Sequence, residues 1–416
     1  MDSQHLYNQY LPLYLLCLGL LLCVYLLIQP SIVTLDYNEE ANRLSFYEFD
    51  AKSNNSSKQK ISTIKWIDYL LSKSPSLSGK RKYYPTPWLF NSHLQTYYTS
   101  VMSYEGVKIN YERQLLPMED GGQVALDWYP SQIKGDSKEI KSIVVFLHGL
   151  TGSSREGYIR ETVNTLTTKD KSLWVVVLNN RGCGDSELLT PRLFNGGDTR
   201  DLKHVLSYIQ DLHPSSKKWA IGYSLGSNIL VKYLGEAGKT TPLSAAVSIS
   251  NPCDLVHCSS NFSTLYFQRT FYNPVLGSGL IRLFNKHKHA LGENFIEREW
   301  VGCRHYDRDV TSKMNGFKTV NDYYRWASSD QYITRIKIPL LMFTSTDDPI
   351  SPAVAIPYQE CKYNPYVLLA TTDSGGHIGW WTGVFSLEYW FTEVVHEYLS
   401  ALKQVYDKEV PDKFVV

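Results

Sequence analysis

The hydrophobic rhythm of the chain changes three times. Residues 10–28 form one uncharged apolar run, "YLPLYLLCLGLLLCVYLLI". Residues 36–80 are polar and rich in Ser, Asn and Lys, as in "DAKSNNSSKQK", and read as a linker with one helical patch near "IKWIDYLL". From about Arg81 the pattern tightens. "INYERQLL" and "GGQVALDWY" alternate like half-buried strands around a Gly-Gly turn, and "SIVVFLHGL" is a β-branched run suited to a strand covered on both faces.

Helical spacing follows from about Gly157, then "LWVVVLNNRG" as a buried strand. "GGDTRDLKHVLSYIQDL" is helical, with Asp198 or Thr199 as its cap, and "KKWAIGYS" is a strand. "LGSNILVKYLGE" is a helix, and "LSAAVSIS" a sixth strand. The alternation predicts a mostly parallel, doubly wound α/β sheet. It breaks from about residue 252 to 337, an aromatic, basic, helix-like stretch, before "IPLLMFTST" and "PYVLLATT" add two strands and a closing helix follows. The break reads as a lid inserted between strands 6 and 7. The expected domains are 1–35 (anchor and flanks), 36–80 (linker) and 81–410 (catalytic domain, lid at about 252–337).

Spanning hydrocarbon takes ~20 apolar residues in a helix, and residues 10–28 meet that. A cleavable leader has an apolar core of only ~7–15 residues, a basic start and small residues at the cut site, none of which is present. The expectation is a retained signal-anchor transmembrane helix at about 10–28. Lys and Arg are missing from both near flanks, so charge does not orient it. Sequons at Asn54, Asn55 and Asn261 lean toward a lumenal body.

Composition adds mainly exclusions. The 416 residues carry a net charge of +1, which gives no electrostatic case for nucleic acid. Seven scattered cysteines form no disulfide framework. Cys253, His257, Cys258, Cys303 and His305 lack the paired ligand spacing of structural zinc. There is no Walker sequence, no G-x-G-x-x-G after a strand, no HExxH and no calcium-type carboxylate cluster, so no metal or cofactor is expected.

"GYSLG" (residues 222–226) matches the G-x-S-x-G elbow, set between a strand and a helix. Its glycines let the chain turn almost without a loop, exposing the Ser224 hydroxyl as a nucleophile. A serine needs a base, and His377 sits in "SGGHIGW", directly after the last strand. The orienting acid is due after the strand before it, where "TSTDDPISP" offers Asp347 and Asp348. Asp348 leads into "PISP" and is the expected acid, leaving Asp347 to bond a backbone amide or cap the segment after Pro352. The oxyanion donors are expected to be the backbone N–H groups of Leu225 and Leu150. His148 reads as a loop-holding side chain, "NNRGCGDSE" as scaffold, and His287 and His289 as a solvated basic patch.

Seven segments together resemble the membrane-anchored type 4 family of α/β-hydrolases: "YYPTPWLFNSHLQTYY", "FLHGLTGSSREGYIR", "NNRGCGDSE", "GYSLGSNILVKYLGE", "GFKTVNDYYRWASSDQYI", "STDDPISP" and "GGHIGW". That group includes animal abhydrolase-domain lipases, yeast medium-chain fatty acid ethyl ester synthases and a bacterial esterase branch. The likeness runs from about Tyr83 to the C-terminal helix and is most specific in "HLQT" and the "DYYR" segment. It implies Ser224, Asp348 and His377 as the triad of a single-pass, type II membrane protein acting on lipid esters. The membrane would be the endoplasmic reticulum, another endomembrane or the plasma membrane. Hydrolysis of monoacylglycerol, phospholipid or acyl esters is the expected reaction. Acyl transfer to an alcohol by the same triad, as in an ethyl ester synthase, is the alternative, and a non-catalytic lipid-binding or scaffold protein is a third.

Overall fold

Each apolar run becomes a strand, because β-branched and aromatic side chains pack well on a pleated surface. The computed structural model describes residues 3–27, 29–40, 43–49, 58–101, 106–130, 140–292 and 300–407. The central strands are β1 (Thr34–Tyr37), β2 (Glu112–Pro117), β3 (Gln123–Tyr129), β4 (Ser142–Leu147) and β5 (Leu173–Asn179). They continue as β6 (Lys217–Tyr223), β7 (Leu243–Ile249), β8 (Leu340–Ser345) and β9 (Val367–Thr372). The nine lie in the order β1-β9-β8-β7-β6-β4-β5-β3-β2. From β9 through β5 neighbours run parallel, while β1, β3 and β2 join antiparallel at the two edges.

Among the described residues the helices of eight residues or more are α1 (Ser3–Leu27), α2 (Trp66–Lys73), α3 (Ser92–Val101), α4 (Gly157–Lys169), α5 (Arg200–Leu212) and α6 (Leu225–Ala237). Beyond the sixth crossover come α7 (Leu255–Thr264), α8 (Asn273–Lys286), α9 (Val320–Ala327) and the closing α10 (Phe391–Asp407). Alternate residues of one strand feed different cores. Val144 and Phe146 point into the layer shared with α4 and α10, while Ile143, Val145 and Leu147 point into the layer shared with α5 and α6. The lid holds its own apolar centre around Phe284, Tyr306 and Val310.

The stretch read as flank and linker is more structured than its polarity suggests. β1 pairs with β9 (Leu35 opposite Ala370), and α2 buries Trp66, Ile67 and Leu70 completely. A four-residue edge strand is too short for alternation to register, and one buried helical turn is diluted by its polar neighbours. Arg43–Phe49 and Lys58–Lys65 form a separate antiparallel hairpin. Asn54 and Asn55 lie outside the described residues.

The expected transmembrane helix is not established by the structure. α1 forms over the apolar run and contains Pro12, with Leu13, Leu16 and Leu20 exposed. Among the described residues no helix is long and apolar enough to cross a membrane. The side chains described in α1, residues 10–23, fall short of the ~20 that a span needs.

Candidate active site

The elbow follows from sterics. β6 ends at Tyr223 and α6 begins at Leu225, so Ser224 alone makes the turn, at φ 50 and ψ −121. A non-glycine residue held there stores ~1–3 kcal/mol of backbone strain. The neighbours must yield. A Cβ on Gly222 would stand 2.7 Å from the Ser227 Cα, and one on Gly226 would stand 2.4 Å from the His148 carbonyl oxygen. The Ser224 N–H donates to the Ile249 carbonyl at 2.9 Å, and the Ser227 hydroxyl bridges the same carbonyl and that of Gly222.

Three side chains then connect in series. The Ser224 hydroxyl lies 2.8 Å from His377 Nε2, and His377 Nδ1 lies 2.8 Å from Asp348 Oδ2. In the tautomer this series requires, the hydroxyl donates to Nε2 and Nδ1–H donates to the carboxylate. Asp348 is buried, and its other oxygen accepts the Ile350 and Ser351 amides at 2.8 and 2.9 Å. Those two bonds orient the carboxylate independently of the histidine. Asp347 points elsewhere: its Oδ1 accepts the Gly376 amide at 2.9 Å, and burial pushes its carboxyl up to about 6.

The histidine turn is braced on every side. The Ser345 hydroxyl donates to the Gly376 carbonyl at 2.8 Å, and the Ile378 amide donates to the Ser250 hydroxyl at 3.1 Å. The His377 amide donates to the Thr96 hydroxyl of α3 at 2.9 Å. A Cβ on Gly376 would meet the Ser92 carbonyl at 2.6 Å, so only glycine lets α3 come this close. In the same helix Gln95 accepts from the Tyr83 hydroxyl and the Trp381 amide, and Thr99 accepts from the Trp381 indole. Thr96, Gln95 and Ser250 were not singled out as site residues from the sequence. The polar side chains of "HLQT" dock α3 against the histidine turn.

Leu150 and Leu225 both line the cavity onto which Ser224 and His377 open. The Leu150 loop lies against the elbow, with a Cβ on Gly149 reaching 3.4 Å from the Ser224 Cβ. His148 holds that loop. Its Nδ1–H donates to the Gly149 carbonyl at 2.7 Å, and its Nε2 accepts the Asn180 amide at 3.1 Å. Full burial lowers its pKa to about 4, so the ring is neutral at pH 7 and suits a structural role.

The cavity measures about 120 Å³. Leu193 and Phe194 line it together with Leu255, Phe262, Leu280 and Leu283 of the lid. The lid also contributes Arg304 and Asp307. Asp307 accepts the Thr311 and Tyr324 hydroxyls at 2.7 and 2.9 Å, and burial pushes it up to about 6. His287 departs from the solvated patch expected of it: it is buried, with Nε2 2.8 Å from the Gly182 carbonyl, while His289 is exposed. In "NNRGCGDSE" Arg181 is buried and bidentate to Asp201 at 2.6 and 2.9 Å, which is scaffold. Among the described residues the cysteines are free, and no group of three or more His, Cys, Asp or Glu is placed to hold a metal.

A parallel sheet that delivers a serine on an elbow after β6, and an aspartate and a histidine after β8 and β9, defines a hydrolase architecture. The sequence matches the family described by the alpha/beta hydrolase fold over residues 142–384, and the chain belongs to that family. It is similar to an abhydrolase domain-containing protein of Dictyostelium discoideum, 35% identical and covering 80% of this chain and 85% of the relative. A monoacylglycerol lipase of Saccharomyces cerevisiae is 32% identical, covering 75% and 79%. Phospholipase ABHD3 of Bos taurus is 34% identical, covering 73% and 74%.

Proposed function

We propose that this carboxylic ester hydrolase cleaves acyl lipids through an acyl-enzyme formed on Ser224. The observation that carries the reading is the unbroken series Ser224–His377–Asp348, at 2.8 Å in each link, opening onto an apolar cavity. His377 takes the serine proton as Oγ attacks the acyl carbonyl, and Asp348 stabilises the imidazolium that results. The Leu150 and Leu225 amides receive the oxyanion. Each such donor contributes ~3–4 kcal/mol to the transition state. His377 then protonates the departing alkoxide, and water repeats the sequence to release the fatty acid.

Lipase and phospholipase names among the relatives support an acyl-lipid substrate, as do the aliphatic lid walls. α1 is proposed to anchor the protein in a membrane as a single-pass, type II span of the endoplasmic reticulum, another endomembrane or the plasma membrane. Its exposed leucines support that reading. Reaction with a fluorophosphonate probe tests the nucleophile. Labelling of wild type and loss of it in a folded Ser224→Ala are expected, and equal labelling of both rejects the assignment. Accumulation of a lipid ester in cells carrying Ser224→Ala tests the substrate class, and extraction of the full chain from membranes by alkaline carbonate would reject the span.

A further inference from the structure

Helix α3 packs Leu94 and Tyr98 against the core, but it also buries polar side chains and exposes apolar ones. Gln95, Thr96 and Thr99 form its buried face, because they hold the histidine turn and Trp381. Its outer face carries His93, Tyr97 and Val101, one helical turn apart, with Tyr97 64% exposed. A helix facing water shows the opposite arrangement.

Two other segments extend this face. Phe267 of the lid lies 4.8 Å from the His93 ring and 5.0 Å from Phe271. Both phenylalanines are exposed, as are Leu265 and Tyr266 beside them. On the other side the exposed Trp88 donates its indole N–H to the Val384 carbonyl at 3.0 Å, next to Phe385, which is 100% exposed. Single exposed apolar residues are normal, but a joined surface drawn from three chain segments calls for a partner. This surface borders the reaction centre, since His93 touches the Tyr272 hydroxyl at 2.9 Å and Thr96, on the same helix, holds His377.

α1 joins the fold beside the segment that leads into this face. It ends at Leu27, and Ser31 pairs with Tyr83 through bonds of 2.8 and 3.0 Å, just ahead of Trp88 and Phe90. Four extended residues reach at most ~14 Å. The C-terminal end of the apolar helix is therefore tied within that reach of the segment leading into the aromatic face.

The geometry points to this face as the surface that rests on a lipid bilayer, so that the cavity opens into the interfacial layer. Trp and Tyr, with an apolar body and a polar tip, suit that layer. The inference rests on the acyl-lipid reading and adds the route by which substrate arrives. A second copy of the chain is the rival occupant, and the attachment of the apolar α1 beside this segment favours lipid.

The test uses the full chain reconstituted in phosphatidylcholine vesicles and two substrates, an acyl ester in the vesicle and a short-chain ester dissolved in water. Phe385→Ser, and separately Phe267→Asp with Phe271→Asp, are expected to cut vesicle-ester turnover about tenfold while soluble-ester hydrolysis stays within about twofold. Leu212→Asp, exposed at the opposite end of the sheet, is expected to change neither. Unchanged vesicle turnover in both face variants overturns the inference, as does an equal loss on both substrates in Phe385→Ser. A dimer that Phe385→Ser splits, with vesicle turnover intact, assigns the face to self-association instead. No soluble-ester hydrolysis by wild type is a separate failure, which rejects the esterase reading itself.

Discussion

Below the cavity, the loops at the sheet ends hold Ser224, Asp348 and His377 through backbone amides and glycine contacts. Above it, the lid is held down by side chains that reach up from α6. The Asn228 amide donates to the Gly196 and Ala327 carbonyls, each at 2.7 Å, and its oxygen accepts the Ser329 amide at 3.1 Å. One turn on, the buried Lys232 donates to the Trp326 carbonyl at 2.6 Å and lies 3.8 Å from that indole's centre. The Gly196 amide donates to the Tyr323 hydroxyl at 3.0 Å. The helix that begins just after Ser224 is thus also the post to which the "DYYRWASS" segment is tied. The contrast teaches that one region aims the chemistry while the other, with looser apolar walls, shapes what enters.

The sharpest way to break this division lies in the lower region. Asp348→Asn leaves the two amide bonds to Ile350 and Ser351 possible but removes the charge that holds the imidazole. A fall of ~10⁴-fold in kcat is expected for an acid in this position. Asp347→Asn, whose oxygen still accepts the Gly376 amide, is expected to cost less than ~10-fold by the same steady-state assay. Equal losses in the two variants would mean that the turn as a whole, and not the carboxylate facing His377, does the work.

Breaking the tie above is expected to act on folding first. Asn228→Ala strands the Gly196 and Ala327 carbonyls in a buried site, while the Ser329 amide keeps its bond to the Cys253 carbonyl at 2.9 Å. Each unsatisfied group costs ~1–3 kcal/mol, so a loss of ~3–5 kcal/mol in urea unfolding is expected. A loss under ~1 kcal/mol would show that the lid packs without its post. Between the two regions stands Thr96. Thr96→Val keeps the shape and removes the acceptor of the His377 amide, an expected cost of ~1–2 kcal/mol. Because the bond acts through the histidine backbone, kcat should fall with KM unchanged, which a merely structural loss would not produce.

The two regions were unequally legible in the sequence. The elbow is readable because the clashes at Gly222 and Gly226 admit only glycine, and such a constraint leaves a local pattern. Strand order then places the acid and the histidine at successive strand ends. The register of "DPISP" singles out Asp348, and the paired amides of Ile350 and Ser351 are its physical counterpart. The ties of the lid are long-range: Asn228 meets Ala327 and Ser329 across about a hundred residues, and no local period records that. His287 was misread for the same reason, since its basic neighbours are solvated while its own ring turns inward to Gly182. The polar face of α3 carries no hydrophobic signal at all, because what it buries is a hydrogen-bond network.

The smallest effect concerns the neighbour that does not touch the histidine. Burial pushes Asp347 up to about 6, with the adjacent Asp348 charge adding in the same direction. An unfolded aspartate titrates near ~3.9, so between those values the folded state binds more protons than the unfolded one. Stability from this group is therefore greatest below pH 4, declines as pH rises toward 6, and is level above. The site is partly open to solvent, which reduces the swing to ~1 kcal/mol. Asp347→Asn has no such titration. The difference in urea midpoint between wild type and variant should therefore favour wild type more at pH 4 than at pH 7, and other buried carboxyls such as Asp307 cancel in that difference. A difference independent of pH would mean that the folded chain leaves Asp347 at the value of an unfolded aspartate, and a difference that disfavours wild type at pH 4 would mean that the carboxylate is held ionised.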